Sequence, residues 1–165
     1  RRELTESQSA IIPLLMHCTN DAERVADHTA NVMALTVRLK NASGDLSEKG
    51  RGELQMLCGY LESLALNVIA ALESSNQDYV NKALASEDQV NRLAHELEAN
   101  HIERLRAGHC DAIVGVIYIE LIGELEKAAD HLTNIAERAK SIQSHYLDFG
   151  WENFNKVEMQ GKIYA

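Results

Sequence analysis

"DAIVGVIYIELIGELEKAADHLTNIAERAKSIQSH", running from Asp111 to His145, decides the fold. Tyr118, Leu121, Leu125, Ala128, Leu132, Ile135, Ala139 and Ile142 recur along it in steps of three and four. That period places one apolar face on an α-helix and leaves the other faces to polar residues.

The same period spreads outward from this stretch, and period-two alternation is scarce. A helix over about Asp78 to Arg106 carries Val80, Ala83, Val90, Ala94, Leu97 and Leu105 inward, with Gly108 as its stop. Before it, Leu54, Leu57, Leu61, Leu64, Val68 and Ala71 mark a helix that ends near Ser74, Ser75 and Asn76. A first helix spans about Ser9 to Asn41, its stripe being Leu15, Cys18, Ala22, Val25, Thr29, Val32 and Leu39, with Pro13 in or just beyond its first turn. Ser43, Gly44 and Asp45 make the turn that follows, and Asp45 with Glu48 reads as a capping box. Four such helices with short connections predict an all-α, antiparallel up-down four-helix bundle over residues 1–147. Residues 148–165 form a separate C-terminal tail. Tyr146, Phe149, Trp151, Phe154 and Tyr164 gather around this end, as a tail folded over the bundle or a docking segment for a partner.

Composition narrows the function classes. A chain of 165 residues is one domain's worth, and its formal net charge of −9 works against a polyphosphate backbone, so nucleic acid is not expected as a partner. Cys18, Cys58 and Cys110 are odd in number and widely spaced, which fits a reducing compartment and small core residues rather than a disulfide framework or zinc site. The longest apolar run, Ala112 to Ile119, falls far short of the roughly 20 residues a bilayer span needs, so a soluble domain is expected. A start at Arg1 with no methionine suggests a piece of something longer.

The chemistry lies in an internal repeat. At an offset of 103 residues, Ala22 to Val32 lies over Leu125 to Ile135, and Glu23, Ala26, Asp27, His28 and Asn31 meet the identical Glu126, Ala129, Asp130, His131 and Asn134. Steps of four residues set Glu23, Asp27 and Asn31 in one row about 6 Å apart, and Glu126, Asp130 and Asn134 in another, both facing away from the apolar stripe. Two carboxylates and an amide oxygen are hard ligands for a multivalent cation, and a neighbouring imidazole adds a nitrogen. Without a cation, acids one turn apart repel by a few tenths of a kcal/mol, so a merely solvated face gains more from alternating signs. His28 and His131 read as local hydrogen-bonding groups before ligands. Glu87 and His101, near the inward face of the third helix, read as groups at the bundle margin with their polar tips in water, or as auxiliary ligands.

These residues resemble the E(D)xxxD signature of PhoU domains, whose helices carry a stretch similar to "ERIGDHAxNIAE". The second copy reads Glu126-Lys-Ala-Ala-Asp130-His131-Leu-Thr-Asn134-Ile-Ala-Glu137, and the first Glu23-Arg-Val-Ala-Asp27-His28-Thr-Ala-Asn31. Glu87 to Cys110, "EDQVNRLAHELEANHIERLRAGHC", is similar to the PhoU-like tail of bacterial sodium/phosphate cotransporters. The resemblance implies two three-helix repeats with the first incomplete here, and iron or zinc on Glu23, Asp27, Asn31, Glu126, Asp130 and Asn134. It further implies a non-catalytic cytoplasmic domain of an inner-membrane phosphate transporter, whose partner is the membrane portion of the same polypeptide. A homodimer stays open. Ala26 and Ala129 replace the usual glycine, and Ala34 stands where the second copy has Glu137, so the two sites need not be equivalent.

Two other readings compete. One is a helical interaction scaffold without metal. The other is a ferritin-like di-metal oxidase, which requires an inward-facing ExxH on each of two helices, whereas Glu98-Ala-Asn-His101 is a single copy.

Overall fold

The computed structural model describes residues 6–74 and 76–147, and the aromatic tail read from residues 148–165 lies outside them. Four helices follow in order: α1 (Glu6–Lys40), α2 (Glu48–Glu73), α3 (Gln77–Arg106) and α4 (Ala112–Leu147). No strand occurs among the described residues. α4 is the central element, with α1 on one face and the α2–α3 hairpin on another.

The core is where the periodicity placed it for α2 and α3, apart from Leu105, whereas α4 buries its expected stripe and also Ile122, Ala129 and Ala136 beside it, because both α1 and the α2–α3 hairpin pack on this helix. Leu57, Leu64 and Val68 of α2, Val90, Ala94 and Leu97 of α3, and Tyr118, Ile122, Ala129 and Ala136 of α4 form one buried cluster. Each large aliphatic side chain so buried contributes about 1.5–3 kcal/mol. By length and composition α2 also reaches what a bilayer span requires, with a mean hydropathy of 1.4, a measure to which the longest apolar run was blind.

The first helix differs from its expected face. Its seam against α4 runs through Ile11, Leu14, Cys18, Asp21, Val25, His28, Val32, Leu35 and Leu39, whereas Leu15, Ala22 and Thr29 are exposed. α1 carries two neighbouring stripes and has a partner for one. The offset of 103 shows why: Leu15 and Ala22 correspond to Tyr118 and Leu125, which α4 buries under the hairpin that α1 lacks. The hydroxyls of Thr19, Thr29 and Thr36 turn back to carbonyls four residues earlier.

Local signals shift in smaller ways. Pro13 lies well inside α1, forfeiting one helix hydrogen bond. Ser47, not Asp45, caps α2, its hydroxyl accepting from the Gly50 amide at 3.1 Å. Gly108 ends α3 at φ 70°, as expected of a left-handed stop. Asp111 caps α4 through the amides of Ile113 and Val114. At the other end, Gln143 Nε2 donates to the carbonyls of Ala71 and Ser74, closing the last turn of α2. Leu105 is exposed, because α3 stops before anything covers it. The cysteines are free: Cys58 is exposed and Cys18 and Cys110 half-buried, so none is a fully buried core residue.

Candidate functional site

α1 and α4 run antiparallel, which brings the two copies of the repeat side by side. His28 and His131, equivalent at the 103 offset, stack at the seam with ring centroids 5.5 Å apart and planes 18° from parallel. His28 Nδ1 lies 2.8 Å from Glu124 Oε2 on the opposite helix. His131 Nδ1 lies 2.8 Å from Asp21 Oδ1. Asp21 and Glu124 are also 103 positions apart, so the two bridges map onto each other. The two bridges are thus equivalent under the repeat.

The electrostatics of the bridges follow from their donors. Hydrogen bonding from His28, with help from Asn31 and Lys127, holds the Glu124 carboxyl well below its ordinary value, at about 2, against the opposing effect of burial. A carboxylate so ionised has no proton to give, so His28 Nδ1 carries the hydrogen and donates. The symmetry breaks one turn further on. Asn31 Nδ2 donates to Glu124 Oε2 at 2.7 Å, whereas Asp21 is met by the Arg138 guanidinium, whose counterpart on α1 is Leu35.

The first acidic row lies outward, as its spacing required, and the second does so only at Asp130. Glu23, Asp27 and Asn31 are exposed, as is Asp130, while Glu126 and Asn134 are half-buried. Glu23, Asp27 and Asp130 make no ion pair among the described residues. Asn31 spends its amide on Glu124 and keeps its oxygen. Burial pushes the Glu126 carboxyl upward, and the charges of Asp130 and Glu98 push it the same way, against His95 and Lys127. α3 therefore adds Glu98 to the field around the second row, a residue that spacing alone had grouped with His101. The rows do not converge: among the described residues, no three His, Cys, Asp or Glu come together as a ready metal cage. Their exposed oxygens fit cations that keep much of their water, held by one or two carboxylates at a time.

The Glu98…His101 pair is not a ligand set. Glu98 faces an outer groove, while His101 is 1% exposed, its ring 5.0 Å from that of Tyr118. His101 thus sits in the core instead of at the margin. Burial and the nearby Arg104 charge lower its pKa, and its Nε2 is buried without a hydrogen-bond partner. Beside it, Glu53 accepts from the Tyr118 hydroxyl at 2.6 Å, Arg104 at 2.8 Å and Asn100 at 3.2 Å. This polar network ties α2, α3 and α4 together. Glu87 is half-buried and accepts from Asn91 at 2.6 Å.

The outer groove, about 480 Å3, is walled by Asn31 and Arg38 of α1, Glu98 of α3 and Glu120, Glu124 and Lys127 of α4. Its cations are matched in place: Arg38 meets Glu120 at 2.6 Å and Lys127 meets Glu124 at 3.1 Å. Such a groove offers an anion no unmatched charge.

An all-helical bundle with a doubled E-x-x-x-D row across its central antiparallel pair is the class these observations define. Residues 54–139 match the PhoU domain family. The chain belongs to that family. It is 21% identical over 137 residues to the phosphate-specific transport system accessory protein PhoU homolog 1 of Thermotoga maritima, covering 83% of this chain and 58% of that protein. It is 26% identical over 139 residues to the phosphate-specific transport system accessory protein PhoU homolog of Streptococcus pneumoniae, covering 81% and 60%. The chain thus spans about three-fifths of the length of these relatives. No solved structure matches it.

Proposed function

We propose that this is a non-catalytic regulatory PhoU-like domain acting in phosphate transport and homeostasis, which binds metal ions along Glu23, Asp27 and Asn31 and along Glu126, Asp130 and Asn134. The observation that carries the reading is the doubled row itself. Two helices of a PhoU-family bundle keep the same carboxylates in register, with Glu23, Asp27 and Asp130 exposed and in no ion pair among the described residues. Repulsion within each row and the raised Glu126 carboxyl are both relieved when a cation arrives. The resemblance to PhoU domains favours iron or zinc as the cation on these rows.

The named relatives are accessory proteins of phosphate transport, which supports a partner at the cytoplasmic face of the inner membrane. The similarity of Glu87 to Cys110 to cotransporter tails favours a sodium-dependent phosphate transporter, with its membrane portion in the same polypeptide. Metal analysis of the purified domain after loading with iron or zinc tests the metal reading. Stoichiometry should fall in the Asp27→Ala/Asp130→Ala double variant, and an unchanged stoichiometry overturns it. A second reading, an interaction scaffold without metal, is favoured by the lack of three converging ligands. It predicts that the double variant alters neither metal content nor phosphate uptake by cells carrying the transporter.

A further inference from the structure

α3 continues past Leu97, its last buried apolar side chain, and within residues 98–106 a single residue is buried, His101. Asn100 and Arg104 beside it are half-buried and reach Glu53 of α2 at 3.2 Å and 2.8 Å, while Ile102 and Leu105 are exposed. The end of this helix thus hangs on an imidazole, where its earlier turns hang on Val90, Ala94 and Leu97. The ring lies against Gly115 of α4, where a Cβ would stand 2.7 Å from Nε2, and its centroid is 5.0 Å from that of Tyr118. Nε2 is shut off from solvent and has no hydrogen-bond partner. An orphaned polar atom at an inward position costs stability that a leucine there would keep.

The charged and titratable groups around the ring do not accommodate a proton on it. On α3 itself, Arg104 repels a second positive charge. On α2, Glu53 attracts one, but its oxygens already accept from Arg104, Asn100 and Tyr118. On α4, burial and the neighbouring Glu53 hold the Tyr118 hydroxyl well above its ordinary value, so it stays neutral and donates to Glu53. Burial first and the Arg104 charge second therefore lower the His101 pKa, against the opposing pull of Glu53. A protonated imidazole donates from both nitrogens, and Nε2 faces nothing that accepts. A ring so charged is stable in water and not in this place.

We propose that His101 is a proton-released latch: on taking a proton its ring leaves the core, and residues 98–106 lift from α2 and α4 with it. Arg104 and Asn100 then part from Glu53, which opens the end of the bundle at the α3–α4 connection. This goes beyond the regulatory reading and does not depend on it, since it concerns neither phosphate nor the acidic rows. Because the closed state favours the neutral ring, the latch is fully held above the ordinary histidine value of 6.5. It weakens as pH falls below that value, by up to about tenfold per unit, until the lowered pKa of the closed state is reached. Hydrogen exchange of the 165-residue chain, followed amide by amide by NMR between about pH 7.5 and about pH 5, tests it. Protection factors in residues 98–106 should fall by up to about tenfold per unit below pH 6.5, while those of residues 83–94 hold. In His101→Leu, which places an apolar side chain at the same position, that fall should vanish. The ring carbon shift of His101 in the unaltered chain should titrate with a midpoint below 6.5, a measurement that stands even where the variant does not fold. A midpoint at or above 6.5, protection in residues 98–106 indifferent to pH, an equal loss in residues 83–94, or the same fall in His101→Leu overturns the proposal.

Discussion

His28 and His131 stack 5.5 Å apart across the α1–α4 seam, each reaching to a carboxylate of the other helix. α1 packs chiefly on α4, so these bridges bear on whether it stays docked.

The bridge between His28 and Glu124 should show measurable coupling. In a double-mutant cycle with His28→Ala and Glu124→Ala, urea unfolding should give a coupling of about 0.5–1.5 kcal/mol, modest because both side chains are partly solvated. A coupling near zero would reduce the pair to a surface contact.

Acid should weaken the fold through the same carboxylate. The Glu124 pKa is about 2 in the folded chain against an ordinary value of 4.5, so its contribution is fully present above pH 4.5. It is lost as pH falls from 4.5 toward 2, when protonation removes the acceptor. Thermal midpoints measured across that window should drop less steeply in Glu124→Gln than in the parent chain.

Two glycines of α4 should respond in opposite senses to alanine. A Cβ at Gly115 would stand 2.7 Å from His101 Nε2 and 2.9 Å from its Cε1, and that ring is buried and cannot withdraw. Gly115→Ala should therefore destabilise by about 1–3 kcal/mol. Gly123 has nothing within 4 Å of such a Cβ, so Gly123→Ala should gain about 0.5–1 kcal/mol from helix propensity. Denaturant midpoints of the two variants should move apart.

Tyr118→Phe should cost about 1–2 kcal/mol, because it removes the 2.6 Å hydrogen bond to buried Glu53 without opening a cavity. Chemical denaturation checks the value, and a neutral result would mean that Arg104 and Asn100 alone satisfy Glu53.

The helices and the core of α2, α3 and α4 were legible because spacing in sequence is angle on a helix. The face of α1 was not, because its pattern contains two stripes and only a tertiary partner chooses between them. Ser47 took the cap from Asp45 because both are good capping residues and the register of α2 decides. The acidic rows could be read from the repeat, and the outward aim of the first followed from the same angles. Asp21 and Glu124 were missed although they keep the 103 offset, since a search for identical residues passes over an Asp matched to a Glu. That each holds the other helix's histidine is information about which helices touch, which no single helix encodes. His101 escaped for the opposite reason: a polar residue on an apolar stripe suggests a margin, and only packing against Tyr118 and Gly115 places it inside.

The central claim is that cations settle on the two acidic rows, and crystals of the domain grown with iron or zinc would test it most directly by anomalous scattering. The account predicts anomalous peaks beside Asp27 and beside Asp130, each lost when its aspartate is changed to alanine. Peaks confined to other histidines or cysteines, or none at either row in metal-loaded crystals, would contradict it.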